Sequence, residues 1–333
     1  MPINTIHASA KYRERVVDVP GRRVLISRIA DSDQEKDLRE PPNASGLGRI
    51  RHFARECEGW VLNPLPIDPA RAKLGLPPGD NINSQVFQLG ACNWRCWYCF
   101  VPFELLAASP SRSEWIGPDK LVAHFARLSM RPPVLDLSGG EPDLAPEWLL
   151  WTMEALEAAD LAKSTYLWSD DNLSTDYFWR YLTEAERKRI ASYSNFGKVC
   201  CFKGFDHDSF AFNTGADPAG FDTQMMLFER YLCEGLDVYA YVTLTHPYAR
   251  PVWGDIARFV DRLQSVDRTL PLRTVPLKLA PFTPVRSRLT ALRSYALDRG
   301  QFDALDAWRT ELERRFSAAE RALPIQEVRW TAH

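Results

Sequence analysis

Cys92-Asn-Trp-Arg-Cys96-Trp-Tyr-Cys99 places three thiols within eight positions of a 333-residue chain. Thiols this close together are not a run of independent core positions, and they are one short of a closed four-thiolate metal site. An iron-sulfur cluster is normally held by four cysteine thiolates. A cluster held by these three would therefore leave one iron open to a further ligand.

Other interpretations of this stretch stay open. A structural zinc site requires a fourth Cys or His at comparable spacing, and the nearest histidines, His52 and His124, are distant in sequence. Unrelated buried cysteines are the remaining alternative. No disulfide framework emerges from the other cysteines, which indicates a reducing compartment; these are Cys57, Cys200, Cys201 and Cys233.

The spacing of three and then two residues, with Tyr98 before the last cysteine, resembles the cysteine loop of radical S-adenosylmethionine (SAM) enzymes. The resemblance covers about residues 84–290. It implies that Cys92, Cys96 and Cys99 hold a [4Fe-4S] cluster whose open iron binds the amino and carboxylate groups of SAM. It also implies reductive cleavage of SAM to a 5′-deoxyadenosyl radical, which takes a hydrogen from the substrate. A flavodoxin or ferredoxin is the expected electron donor.

The composition is that of a globular chain. Its 45% hydrophobic content is ample for a core, and its 41 basic and 43 acidic residues are interleaved. The resulting formal net charge of −2 offers no basic field for nucleic acid and no acidic tail. No secretion signal begins the chain, and no apolar run approaches the roughly 18 residues that span a bilayer. We therefore expect a cytoplasmic protein without a membrane partner.

Short apolar strands alternate with amphipathic helices from residue 84 onward. Such units predict parallel strands joined by right-handed crossovers, and apolar strands indicate burial on both sheet faces. Six units are too few for an eight-stranded barrel. We predict an α/β fold, a partial (β/α)6 TIM-type barrel, which is also the fold of radical SAM enzymes. The predicted strands are 85–89, 134–138, 165–168, 199–203, 236–245 and 271–280, and the helices are 120–130, 147–159, 184–193, 221–234 and 256–265.

Three regions are predicted. Residues 1–83 form an N-terminal extension packed on the core, with a hairpin over 16–27, a loop over 31–45 and an irregular wrap over 46–75. Residues 84–290 form the partial barrel. Residues 291–333 form a C-terminal helical segment, with an amphipathic helix over 299–323.

Functional groups of a parallel α/β barrel gather at the carboxyl ends of its strands. Ser138-Gly-Gly-Glu-Pro142 follows the second strand and resembles the GGEP motif of radical SAM enzymes. The resemblance implies that its backbone and the Glu141 side chain engage the methionine part of SAM. The implied cofactor contacts are Tyr98, Ser138, Gly139, Gly140, Glu141 and Pro142.

Trp168-Ser-Asp-Asp-Asn172 follows the third strand. Related enzymes often carry an acidic residue followed by Thr-Asn-Gly here, so the resemblance implies that Asp170 and Asn172 contact SAM. Leu173 stands in place of the glycine. The alternative is that Asn172 or Ser174 caps the next helix.

Phe202-Lys-Gly-Phe-Asp206 and Asn213-Thr-Gly215 resemble segments of glycyl-radical-enzyme activases. Lys203 is expected to pair with a carboxylate of SAM or of the substrate. Cys201 stands where the activase pattern has an aspartate. Packing is the expected role of both Cys200 and Cys201.

The last two strand ends offer further candidates. His246 could handle protons near neutral pH, or it could be a structural loop histidine. Thr283 follows a Pro-Phe pair at the place where the activase pattern has a histidine touching SAM, so it is an expected cofactor contact. Arg286 and Arg288 could clamp a substrate carboxylate or phosphate, or they could be exposed.

Three functions are compatible with these motifs. The first is a single-cluster radical SAM enzyme, an oxidoreductase acting on a small-molecule, peptide or nucleotide-derived substrate. The second is an activase that installs a glycyl radical on a partner enzyme. The third is a non-catalytic module that binds zinc or iron. No cysteine-rich tail follows Cys233, so no auxiliary cluster is expected.

Overall fold

The structure of the protein is a computed structural model that describes residues 2–331. Its β-strands are β1 (Val17–Asp18), β2 (Arg23–Ser27), β3 (Gly48–Ala54), β4 (Asn81–Phe87), β5 (Ser113–Ile116), β6 (Val134–Leu137), β7 (Tyr166–Asp171), β8 (Phe196–Phe202), β9 (Val238–Thr243) and β10 (Thr274–Leu277). Its α-helices are α1 (Thr5–Val16), α2 (Ile67–Leu74), α3 (Pro118–Ala126), α4 (Glu147–Ala158), α5 (Tyr177–Tyr181), α6 (Glu184–Ala191), α7 (His207–Thr214), α8 (Gly220–Cys233), α9 (Trp253–Val266), α10 (Thr283–Arg286), α11 (Ala291–Tyr295), α12 (Gln301–Arg315) and α13 (Ala318–Arg321).

The main sheet has the strand order β10-β9-β8-β7-β6-β4-β3. Strands β4 and β6 to β10 are parallel, and each lies beside its predecessor in this sheet. Crossovers of one hand between sequential neighbours put the connecting helices on one face, so the sheet curls around its other face. The predicted partial (β/α)6 barrel is confirmed.

Both faces of this sheet are apolar, as expected for buried parallel strands. The outer face packs against the helices through residues such as Leu135, Leu137 and Val238. The inner face lines the lumen of the partial barrel with a second core cluster, which includes Phe53, Ile82, Val134, Tyr166, Trp168, Val199 and Tyr239.

The N-terminal extension has more regular structure than the sequence predicts. The hairpin is confirmed as the antiparallel pair β1 and β2, which β5 extends to a three-stranded sheet. The irregular wrap predicted over 46–75 is wrong, because the chain there contains β3 and α2. Strand β3 pairs with β4 over seven residues in antiparallel register and adds a seventh strand to the main sheet.

The extension also bridges the gap between the two edge strands, β3 and β10. The Nε1 of Trp60 donates a 2.8 Å hydrogen bond to the carbonyl oxygen of Pro276 in β10. The Nδ2 of Asn63 lies 3.1 Å from the hydroxyl of Tyr241 in β9. The seam of the partial barrel is therefore covered by chain that precedes the (β/α) units.

Each strand and helix predicted between residues 84 and 290 overlaps one in the structure. The single helix predicted over 299–323 is wrong in its second half. Helix α12 ends at Arg315, and Ser317 starts α13 with a capping box formed with Glu320. Within residues 2–331, no helix has both the length and the apolar character needed to cross a membrane.

Candidate functional site

A cavity of about 460 Å³ opens at the carboxyl ends of the parallel strands. Ligand sites in proteins have volumes of about 300–1,000 Å³. The cavity brings together most of the residues that the sequence singled out. Those on its wall are Cys92, Cys96, Tyr98, Cys99, Ser138, Gly139, Gly140, Pro142, Asp170, Asn172 and Lys203.

The cysteine loop, residues 92–99, is held by hydrogen bonds with the end of α7 and with Arg288, which follows α10. The backbone N–H of Trp97 donates to the carbonyl of Asn213, and its Nε1 donates to Oδ1 of the same residue, both at 3.2 Å. The N–H of Arg95 donates to the carbonyl of Thr214. Arg288 donates from Nη1 to the carbonyl of Cys99 at 2.7 Å. Asn213, Thr214 and Arg288 therefore position this loop.

Helix α1 supports the same loop from the other side. The Nδ2 of Asn93 donates to the hydroxyl of Ser9 at 2.8 Å, and the Nε1 of Trp94 donates to the hydroxyl of Thr5 at 2.9 Å. Asn93 and Trp94 are almost fully buried, and buried polar groups left unpaired are costly. The loop thus depends on the N-terminal extension.

The spread of the three thiols fits a cluster better than a single metal ion. Within residues 2–331, only one trio of potential metal ligands has its ligand atoms within 4.8 Å of one another, and it consists of carboxylates. The three cysteine Sγ atoms are therefore spread more widely. Thiolates that share one zinc ion lie about 3.8 Å apart, because tetrahedral Zn–S bonds are about 2.3 Å long. In a cubane each thiolate binds a different iron.

The cysteines are free, and their environment keeps them protonated when no metal is bound. Burial raises the pKa of all three thiols, that of Cys96 to about 11. Metals bind the thiolate, so binding here must displace thiol protons. This donor set of buried thiols is suited to a soft metal centre such as an iron-sulfur cluster.

The glycines of the Ser138–Pro142 segment pack directly on residues 88–91, which lead into the cysteine loop. Gly140 has φ +67°, and a Cβ there would lie 2.4 Å from the carbonyl oxygens of Leu89 and Ala91. The N–H of Glu141 donates to the carbonyl of Ala91 at 2.8 Å. Only glycine fits at position 140. The close contact places the Ser138–Pro142 segment beside the start of the cysteine loop, so the two motifs form one surface.

The Glu141 side chain does not line the cavity. It is fully buried behind the glycines, where its Oε2 accepts a 3.1 Å hydrogen bond from the N–H of Asn172. Its Oε1 has no hydrogen-bond partner within residues 2–331. Burial, with Asp171 and Asp143 nearby, raises the pKa of Glu141 well above its usual range.

The third strand end brings two predicted polar residues onto the cavity wall. The hydroxyl of Ser138 donates to Oδ2 of Asp170. The Nδ2 of Asn172 lies 3.6 Å from the Sγ of Cys92, a hydrogen-bond contact to sulfur. The capping alternative is wrong, because α5 begins at Tyr177 and its N-cap residue makes no side-chain capping bond.

Leu173 adopts the left-handed conformation that a glycine would adopt at this position. Its φ is +56°, and its N–H donates to Oδ1 of Asp171 at 2.6 Å. The left-handed conformation costs a non-glycine residue about 1–2 kcal/mol. The loop therefore keeps the required backbone path although the side chain differs.

The fourth and fifth strand ends complete the wall beside the cysteines. Lys203 is half-buried there, and so is Cys201, which packs against the inner core cluster as predicted and also lines the cavity. Burial acts to lower the pKa of Lys203, but Cys201, Tyr98 and Cys96 raise it well above the ordinary value. The Tyr98 hydroxyl lies 3.1 Å from the hydroxyl of Thr243.

Like Glu141 and Arg288, the predicted residues His246, Thr283 and Arg286 lie off the cavity wall. His246 is buried, with its Nε2 3.2 Å from the carbonyl of Gly300 and its Nδ1 accepting from the N–H of Tyr248. Both ring nitrogens are thus engaged by the backbone. Thr283 is turned toward Asp37, to which its N–H and hydroxyl donate at 2.8 and 2.9 Å. Arg286 donates only to its local backbone and is exposed.

Sequence reasoning missed the wall that β3 contributes. Arg49, Ile50, Arg51 and His52 line the cavity, as do residues 37–39 of the preceding loop. The signal was the alternation in Gly48–Ala54, in which Arg49, Arg51 and Phe53 share one face. Charged residues on the buried face concealed this strand.

The sequence matches no protein-family model and no curated protein. Among solved structures, Streptococcus suis SuiB bound to S-adenosylmethionine is 17% identical over 53% of this chain and 36% of that chain, with a TM-score of 0.37. anSMEcpe with bound AdoMet is 17% identical over 53% of this chain and 44% of that chain, with a TM-score of 0.35. TYW1 with a lysine-pyruvate adduct bound is 11% identical over 81% of this chain and 90% of that chain, with a TM-score of 0.37.

This chain therefore spans little more than a third of the length of SuiB. At these identities and TM-scores, the likenesses carry no argument about the reaction. The chemistry has to be argued from the residues of the cavity.

Proposed function

We propose that the cavity is the active site of a radical SAM enzyme. Cys92, Cys96 and Cys99 would hold a [4Fe-4S] cluster, and SAM would bind beside it against the glycines of the Ser138–Pro142 segment. The observation that carries this proposal is the convergence of three cysteine thiols, two buried and one half-buried, and the close-packed Gly140 backbone on one cavity.

When both are bound, cluster and SAM supply a 5′-deoxyadenosyl radical that can take hydrogen from an unactivated C–H bond. The protein binds SAM and the substrate and orients them. Asp170 and Asn172 offer acceptors for amino or hydroxyl groups, and Lys203 offers a positive charge for a carboxylate. Glu141 acts from behind the wall by fixing the backbone of Asn172.

The apolar part of the remaining wall would limit the access of water to the reacting atoms. Tyr98, Phe100, Leu279 and Phe282 line the cavity with apolar surface, and an enclosed apolar site limits side reactions of reactive intermediates. The substrate is proposed to be a small molecule, a peptide or a nucleotide-derived compound. A reduced flavodoxin or ferredoxin of the cytoplasm would supply the electron.

The activase alternative has less support from the site. The Asn213-Thr-Gly215 segment that resembles activases positions the cysteine loop through backbone contacts. That role does not require a glycyl-radical partner. The non-catalytic zinc module has less support, because thiolates that share one zinc ion lie about 3.8 Å apart and the three Sγ atoms here do not all lie within 4.8 Å of one another.

The test is anaerobic reconstitution with iron and sulfide, followed by dithionite and SAM. We expect a brown protein with broad visible absorbance that releases 5′-deoxyadenosine. Cys96→Ala should lose both signals because the cluster would keep only two protein ligands. Cys57→Ala, at an exposed cysteine, is the matched control and should keep both. A colourless zinc protein that leaves SAM intact would support the non-catalytic module instead.

A further inference from the structure

Two arginines of β3 face the lumen of the partial barrel beneath the cavity. Arg49 pairs in register with Val86 of β4, which pairs with Asp136 of β6, so all three side chains share the inner face. Arg51 lies two residues further along the same face. Its Nη1 is 3.7 Å from Oδ2 of Asp136.

The Arg49 guanidinium lacks the partners that a buried arginine normally has. Arg49 is 5% exposed, yet within residues 2–331 its Nε finds no acceptor, and neither Arg49 nor Arg51 donates a side-chain hydrogen bond to a described residue. An arginine carries five N–H donors in a planar fork. Buried polar groups are nearly always hydrogen-bonded, and each one left unpaired is costly.

The neighbouring carboxylates do not fill this role. Both carboxylate oxygens of Asp136 are without hydrogen bonds, and Oδ2 of Asp170 is taken by the hydroxyl of Ser138. Burial, with Asp170 nearby, raises the pKa of Asp136 to about 8. Asp136 and Asp170 thus lie near the two arginines without accepting hydrogen bonds from them, and the guanidinium N–H donors stay available to a ligand.

Aromatic rings hold the two guanidinium groups in place. Arg49 lies over the ring of Phe100 at 4.9 Å and Arg51 over that of Phe53 at 4.1 Å, measured to the ring centroids. Such cation–π contacts orient a guanidinium without using its N–H donors. The forks are thereby preorganised toward the cavity that both residues line.

We propose that Arg49 and Arg51 bind an oxyanion of the substrate, either a carboxylate or a phosphate ester. Paired guanidinium groups match the geometry of both anions. This assignment rests on the proposed radical SAM function, and it narrows the substrate to anionic molecules. The motifs assigned to SAM follow β4, β6, β7 and β8, whereas these arginines belong to β3.

The test measures anion binding to the reconstituted protein with SAM present. The probes are inorganic phosphate and acetate, titrated calorimetrically at constant ionic strength with chloride as the reference. We expect one of the two anions to bind in preference to chloride, and phosphate or acetate then identifies the ester or the carboxylate. Arg49→Gln and Arg51→Gln should each weaken that binding by roughly tenfold or more, as for a lost charge-assisted hydrogen bond.

The controls separate this assignment from the proposed function. Arg309→Gln, at an exposed arginine of α12, should bind the anion like the parent protein. The half-buried Arg51 gives a second variant if Arg49→Gln does not fold. Binding of neither anion, undiminished binding in both variants, or an equal loss of SAM affinity would overturn the assignment. Anion binding is scored whether or not SAM is cleaved, so either proposal can fail alone.

Discussion

Lys198 is the buried positive charge behind the site. It is 0% exposed, and its Nζ lies 2.7 Å from Oδ1 of Asp143 and 3.3 Å from Oδ2 of Asp171. Tyr231 donates its hydroxyl to the other oxygen of Asp143. With Glu141, these carboxylates form a trio whose ligand atoms lie within 4.8 Å of one another. Lys198 therefore supplies the counter-charge for the buried carboxylates of Asp143 and Asp171, which lie behind the Ser138–Pro142 segment.

Replacing this ammonium should destabilise the protein strongly. We expect Lys198→Met to lower the free energy of unfolding by about 3–5 kcal/mol, because it leaves buried carboxylates without a counter-charge. Urea unfolding measures the change. The matched control is Lys188→Met, which removes an exposed ion pair with Glu184 and should leave the free energy of unfolding nearly unchanged. Similar losses in both variants would contradict the assigned role of Lys198.

Asp136 gives the protein a pH-dependent stability. Its pKa is raised from 3.8 to about 8 by burial and by Asp170, against the opposing effect of Arg51 and Arg49. The folded state then binds this proton more tightly than the unfolded state. The free energy of unfolding should therefore fall as pH rises from about 4 to about 8.

Asp136→Asn should weaken that dependence, since asparagine does not titrate, while Glu141 and Asp143, whose pKa values burial also raises, still do. We expect the variant to exceed the parent protein in unfolding free energy by roughly 5 kcal/mol at pH 8, since each pKa unit corresponds to about 1.4 kcal/mol, and to differ little near pH 4. Chemical unfolding across this pH range tests both statements. A parent and a variant whose stabilities change in parallel with pH would refute the raised pKa.

At the scale of elements, local patterns predicted the strands and helices that repeat. Strands β6 and β9 are apolar runs, and their helices carry apolar stripes, so short windows of sequence are sufficient to place them. The fold class followed from their alternation. Strand β3 could not be placed this way, because Gly48–Ala54 puts Arg49 and Arg51 on the buried face. In addition, β3 and its partner β4 are separated in sequence by residues 55–80, which show no strand pattern.

The site was predictable where residues lie close in sequence to a strand end. Cys92, Asp170 and Lys203 meet at the cavity because parallel strands end at one edge. His246 also follows a strand, yet its ring turns away to bind the backbone of Gly300 and Tyr248. Side-chain direction in such loops is decided by long-range packing, which the local sequence does not encode.

At the scale of the whole molecule, one contact joins the N-terminal extension to the end of the last barrel unit beside the cavity. The Asp37 carboxylate, in the loop before β3, accepts hydrogen bonds from the N–H and hydroxyl of Thr283 at the start of α10. Asp37 and Phe282 both line the cavity at this place. The contact fixes the loop that forms one side of the opening.

Asp37→Ala should loosen this loop without unfolding the barrel. Two hydrogen bonds to a charged group are lost, so local opening becomes easier and trypsin should cleave after the exposed Arg39 roughly tenfold faster. Limited digestion followed by mass spectrometry measures the rate. Asp33→Ala, which loses only an exposed pair with Lys36, is the control. Unchanged cleavage in Asp37→Ala would show that the loop is held by other contacts.

The thiols and the arginines of the cavity come from different parts of the chain, on either side of the start of the repeating units. The thiol loop and its glycine partner lie within the repeating units, whereas the arginine wall comes from a stretch before them. If Arg49 and Arg51 bind the substrate as proposed, changes confined to Gly48–Ala54 would alter which molecule is bound and leave the cysteine loop and the Ser138–Pro142 segment untouched. Grafting altered versions of this strand would then change the preferred ligand of the cavity without changing its thiols.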